Sequence, residues 1–177
     1  MKRKKKLILV DHNELTQAVD GMEEAEIIEI IDHHRIGSIE TMGPVFFRNQ
    51  PLGCTATIIY QMYRESGVEL TEKIAGLLCS AILSDTLIYR SPTCTDTDRE
   101  AAEALAEIAG IDTEQYAAEM FAAGSKLSSK SPEEIFYQDY KKFIAEDEIN
   151  FGVGQISSMD SDELAEIKER LVPFMVS

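Results

Sequence analysis

The sequence has no tryptophan, only three cysteines and only three histidines in 177 residues. Cys54, Cys79 and Cys94 are odd in number and lack C-x-x-C spacing. They encode neither a disulfide framework nor a zinc knuckle, and a reducing cytoplasm is the expected setting. Long apolar runs are missing too. None approaches the ~20 residues that a membrane span needs. The opening MKRKKKLILV joins a basic cluster to a short apolar run, well below the roughly 7–15 residues of a signal-peptide core. Positive charge is scarce overall, with 17 Lys and Arg against 32 Asp and Glu, a net charge of −15. Such a surface repels polyanions, so neither nucleic acid nor membrane is an expected partner. The basic start reads as the solvated flank of a strand.

What the chain does have is 44% hydrophobic residues, enough for one sizeable core and the start of a second. KLILV (6–10) and EIIEII (26–31) are short, continuous, β-branched apolar runs, each followed by an aspartate. Runs of this kind suit strands of a parallel sheet buried on both faces. ELTQAVDGM between them is helix-compatible, and PVFFRN (44–49) is a third strand. Helices are expected over TATIIYQMYRES (55–66), LTEKIAGLLCSAILSD (70–85), TDTDREAAEALAEIAG (95–110) and DTEQYAAEMFAAG (112–124). GSKLSSKS reads as a linker. Ser131, Pro132 and Glu134 then signal a helix start, with EEIFYQDYKKFI (133–144) as its body. INFGVGQIS is a strand and DSDELAEIKERL a helix. The expected fold is therefore α/β. A parallel sheet flanked by helices occupies residues 1–123, a linker 124–131, and the beginning of a second α/β domain 132–177.

In an α/β domain ligands collect at the carboxyl ends of strands. There the chain places Asp11-His12-Asn13-Glu14 and Asp32-His33-His34-Arg35, with Ser84-Asp85-Thr86 at a helix end. A lone aspartate at such a place is usually a turn residue or a helix cap, and a lone histidine is more often a hydrogen-bonded structural residue. Two adjacent histidines on a strand, however, point to opposite faces and cannot both fit one core. Imidazole and carboxylate donors suit first-row transition metals. Two cations roughly 3.5–4 Å apart could activate a water and clamp a phosphoryl group. The pattern therefore favours metal or phosphate chemistry.

The Asp32-His33-His34 triplet resembles the signature of the DHH phosphoesterase superfamily. VDHNE (10–14), IDHHR (31–35), GCTAT (53–57), SDT (84–86) and SPTCT (91–95) together resemble the family II inorganic pyrophosphatases. The resemblance implies hydrolysis of pyrophosphate to two phosphates, with Mn2+ or Co2+ and Mg2+. It implies Asp11 as a bridge between two metals and His33 and Asp85 as further metal ligands. His34 and Lys141 would bind substrate, and Asp32 would orient the histidines, while His12 and Asn13 lend support. It further implies a homodimer. Two family motifs do not occur: an N-terminal His-x-Asn-Pro-Asp-x-Asp and a C-terminal Ser-Arg-Lys-Lys-Gln. The chain thus resembles the part of such an enzyme that follows an inserted pair of regulatory CBS domains, which would respond to adenine nucleotides. With at most three ligands for one metal and one for the other, the chain alone is expected to turn over slowly or not at all. Two alternatives compete. One is another DHH phosphoesterase, an exopolyphosphatase or an oligonucleotide phosphodiesterase, although the Gly-Gly-Gly-His motif of those enzymes is absent. The other is a metal-binding or assembly fragment without catalysis.

Overall fold

The computed structural model describes residues 5–37, 39–124, 126–144, 150–156, 158 and 161–176. The chain divides into two compact units, Met1–Ala117 and Ala118–Ser177. Among the described residues, no helix is long and apolar enough to cross a membrane.

The first unit is built on the apolar runs. β1 (Lys6–Val10), β2 (Glu26–Asp32) and β3 (Phe46–Asn49) form one sheet in the order β1-β2-β3, with both pairings parallel. Asp11 and Asp32 therefore sit at the same, carboxyl-terminal edge. Leu9, Met22 and Ile30 make a small core on one sheet face, joined by Leu7, Ile27 and Val45. The β1–β2 connection, helix-compatible in sequence, holds two 3-10 turns, Leu15–Gln17 and Met22–Glu24. Glu14 offers the first turn no side-chain cap. Asn13, the better cap, gives its side chain to Asp32 and Gly37 instead.

Three helices follow: α1 (Thr55–Ser66), α2 (Glu72–Asp85) and α3 (Asp96–Ala109). Each begins on a side-chain cap, from Cys54, Thr71 and Thr95 respectively. Gly67 closes α1 in the left-handed conformation at φ 65°. Their shared interior is Ile58, Cys79, Ile82, Leu83, Ala102 and Leu105, each 0% exposed. Small residues on α2 and α3 let those helices approach until the Cys79 thiol reaches the Ala102 carbonyl at 3.6 Å. Beyond α2, Leu87, Ile88 and Tyr89 all take positive φ (49°, 52° and 62°). Buried Thr86 pins that left-handed turn: its Oγ1 donates to the Ile82 carbonyl at 2.6 Å and accepts the Tyr89 N–H at 3.2 Å. α4 (Thr113–Gly124) comes next, with Asp112 Oδ1 accepting the Gln115 N–H at 2.8 Å.

The second unit contains α5 (Pro132–Phe136), a hairpin of β4 (Tyr140–Ile144) and β5 (Asn150–Gly154), and α6 (Ser161–Val176). Ser131 and Glu134 form the capping box their spacing announces. Leu127, inside the stretch read as a linker, is buried with Ile135, Ile167 and Leu171 in this unit's core. The single helix expected over 133–144 is a correction: α5 ends at Phe136 and Tyr140–Ile144 is a strand. Pairing with β5 overrides the local helical reading. Gly152, paired with Lys142, has no side chain, and a Cβ there would collide with the Tyr140 ring.

Candidate metal centre

The strand ends bring three of the singled-out residues together. Asp11 leaves β1 with φ 68°, while its N–H still bonds the Ile31 carbonyl at 2.9 Å. Aspartate is one of the few residues that tolerate this conformation. Its Oδ1 lies 3.5 Å from His33 Nε2 and accepts the Thr55 hydroxyl at 2.8 Å. Ligand atoms of Asp11, His33 and His34 all fall within 4.8 Å of one another. The alternation argument does not apply to the two histidines, because β2 ends at Asp32. Both rings turn to one side, with centroids 4.1 Å apart.

Each imidazole has one nitrogen anchored. His33 Nδ1 faces the Leu52 carbonyl at 2.9 Å, which can only accept, so Nδ1 carries the proton. Its Nε2 lone pair is thereby turned towards Asp11. His34 Nδ1 donates to Asp32 Oδ1 at 2.8 Å. Asp32 is fully buried, yet its carboxyl is held below the usual aspartate range. Burial pushes the other way, but hydrogen bonds from His34, Asn13 and the backbone N–H groups of His34 and His33 outweigh it. The ring that Asp32 orients is that of His34; the His33 ring is oriented by Leu52.

The remaining candidates lie elsewhere. Asp85, exposed at the end of α2, is outside the three-residue cluster. Burial first, and the Asp85 carboxylate second, push the Cys54 thiol far above its ordinary range, so it stays a neutral thiol. His12 Nδ1 faces the Val10 carbonyl at 3.0 Å, away from the cluster. Buried Asn13 ties the two motifs, donating to Asp32 and, at 3.0 Å, to the Arg35 carbonyl. Arg35 pairs with Glu14 at 2.6 Å. Lys141 lies exposed on β4 in the second unit, opposite Val153. Sequence reasoning missed Thr55 as a partner of Asp11, and it missed Asp98 altogether. A Thr-x-x-Asp spacing from Thr95 was the available signal.

The donor set fits a divalent transition metal. One carboxylate oxygen and a preset imidazole lone pair face each other, and half-exposed His34 leaves the site open to solvent. Comparison with known proteins follows this geometry. Residues 1–82 match the N-terminal domain of the DHH family, and residues 118–177 match the DHHA2 domain. The chain belongs to the DHH family, joining that N-terminal domain to a DHHA2 domain. Within it, the proteins that the chain is similar to are family II inorganic pyrophosphatases. It is 52% identical to a "probable manganese-dependent inorganic pyrophosphatase" of Clostridium acetobutylicum, over 96% of this chain and 54% of the relative. It is 49% identical to a cobalt-dependent inorganic pyrophosphatase of Clostridium perfringens, over 97% of this chain and 31% of that protein. A solved Methanococcus jannaschii protein, assigned to the family II inorganic pyrophosphatases, superposes with a TM-score of 0.81 at 40% identity. That match covers 98% of this chain and 59% of the other. The chain thus spans about half the length, or less, of the relatives it matches.

Proposed function

We propose that the protein hydrolyses inorganic pyrophosphate to two phosphates, using manganese or cobalt together with magnesium. The observation that carries this reading is the cluster of Asp11, His33 and His34, with the His33 lone pair aimed at Asp11 by Leu52. The names of the relatives supply the substrate and the transition metals. Bound divalent ions would lower the pKa of a coordinated water towards ~7 and draw charge from the phosphoryl oxygens.

Asp11 and His33 hold the metal, and Asp85 joins them as a further carboxylate ligand. Asp32 fixes the His34 ring, whose half-exposed face meets the substrate phosphate. Lys141 supplies a cationic contact from the DHHA2 domain. A homodimer, a cytoplasmic location and regulation by adenine nucleotides through CBS domains complete the proposal; the family resemblance supports the first and last, and the cysteine usage supports the second.

Manganese titrated into the 177-residue chain should bind, and His33→Ala should weaken that binding by more than about tenfold. Turnover by this chain alone should be slow, with pyrophosphate still preferred over a dinucleotide. Manganese binding indifferent to His33→Ala overturns the metal reading. Faster cleavage of the dinucleotide overturns the substrate and favours an oligonucleotide phosphodiesterase.

A further inference from the structure

GCTAT and SPTCT have no part in the chemistry above, yet both converge on one buried group. Asp98, on the first turn of α3, is 0% exposed. Its Oδ2 accepts the Gly53 N–H at 2.8 Å, the Thr95 N–H at 2.8 Å and the Thr95 hydroxyl at 2.7 Å. Its Oδ1 accepts the Thr57 hydroxyl at 2.6 Å. Four donors thus satisfy one buried carboxylate. A helix cap accounts for the two bonds from Thr95. It does not account for those from Gly53 and Thr57, which are 45 and 41 residues distant in sequence. The approach at Gly53 demands glycine: a Cβ there would stand 2.9 Å from Asp98 Oδ2 and from Thr86 Cγ2.

Of the three residues between these grips, Thr55 matters most. Cys54 beside it is held at the α1 N-terminus, its sulfur accepting the Ala56 N–H at 3.3 Å. Thr55 presents its hydroxyl to Asp11 at 2.8 Å. Asp98 grips the chain on either side of Thr55 and does not itself touch Asp11.

We propose that Asp98 is a positioning residue for the metal centre: by holding Gly53 and Thr57 on either side it fixes the Thr55 hydroxyl that orients Asp11. The proposal rests on the metal reading of Asp11 and His33. It gives the GCTAT and SPTCT segments a shared purpose, since one supplies the gripped turn and the other the capped helix that carries the grip.

The test is manganese titration of the 177-residue chain by calorimetry, with the spin resonance of the bound ion as a second readout. Thr57→Val removes one donor to Asp98 at nearly constant volume, whereas Thr57→Ser keeps it. Thr57→Val should weaken manganese binding about tenfold, and Thr57→Ser should restore it to within about twofold of the parent. Asp98→Asn should weaken binding at least as much as Thr57→Val; should it fail to fold, the Thr57 pair decides. A merely structural role would lower thermal stability in these variants yet leave the affinity of the folded protein unchanged, and that result overturns the proposal. Binding that is lost in His33→Ala but untouched in Thr57→Val sinks this proposal alone. No manganese binding by the parent sinks the metal reading and this proposal together.

Discussion

Among the described residues two charged side chains are fully buried, Asp32 at the end of β2 and Asp98 at the start of α3. Burial alone would raise both carboxyls, yet both are held below the ordinary aspartate range by their hydrogen bonds. The difference lies in where the donors lead. Those of Asp32 include the ring of His34, which is half exposed, so that network opens onto the candidate site. Those of Asp98 are Gly53, Thr57 and Thr95, joints between α1 and α3 with no route to solvent through a reactive side chain. A buried charge survives only when its hydrogen bonds are complete. The same solution thus serves a histidine directly in one region and, in the other, the junction of two helices through which Thr55 reaches Asp11.

Neutralising each carboxylate separates these roles. Asp98→Asn should be the most damaging change, with a loss of about 3 kcal/mol in urea unfolding, because its four donors are locked in the interior. Asp32→Asn should cost less, ~1–2 kcal/mol, since His34 can turn to water. Its larger effect should fall on manganese affinity. Equal losses of stability would break the distinction.

Acid sharpens the comparison further. The folded pKa of Asp98 lies below its unfolded value, first against the pull of burial and then through Thr57, Thr95 and Gly53. Its stabilisation is therefore complete above the unfolded pKa of about 4 and is lost as pH falls through the lower folded value. Urea midpoints measured downward from about pH 5 should fall steeply for the parent and less steeply for Asp98→Asn. Parallel curves would show that the charge on Asp98 is not what stabilises the junction.

The sequence reveals one of these aspartates and conceals the other, for a physical reason. Asp32 follows an apolar run and precedes two histidines, so its place at a strand end was legible from neighbours in the chain. The bounds of α1 were equally local, set by Cys54 before it and Gly67 after it. Asp98 announces only a helix cap, because its decisive partners are 41 and 45 residues away. The strand at Tyr140–Ile144 was misread for the same cause: its partner Asn150–Gly154 is not a neighbour in the helical period. The meeting of His33 and His34 was legible as chemistry but not as geometry. The alternation rule stops with the strand at Asp32.

Arg35 should show the smallest effect, and it tests whether burial or proximity sets these energies. It lies three residues from Asp32 and pairs with Glu14 at 2.6 Å, a short contact between two charged groups. Its side chain is 80% exposed, however, so water and salt screen the pair. Arg35→Ala should therefore cost under about 0.5 kcal/mol in urea unfolding, and less again in high salt. Manganese affinity should not change, because no ligand atom of the cluster depends on the guanidinium. A loss as large as that of Asp32→Asn would mean that closeness to the site outweighs burial. The ranking Asp98, Asp32, Arg35 would then fail at its lower end, where a short contact carries the least predicted energy.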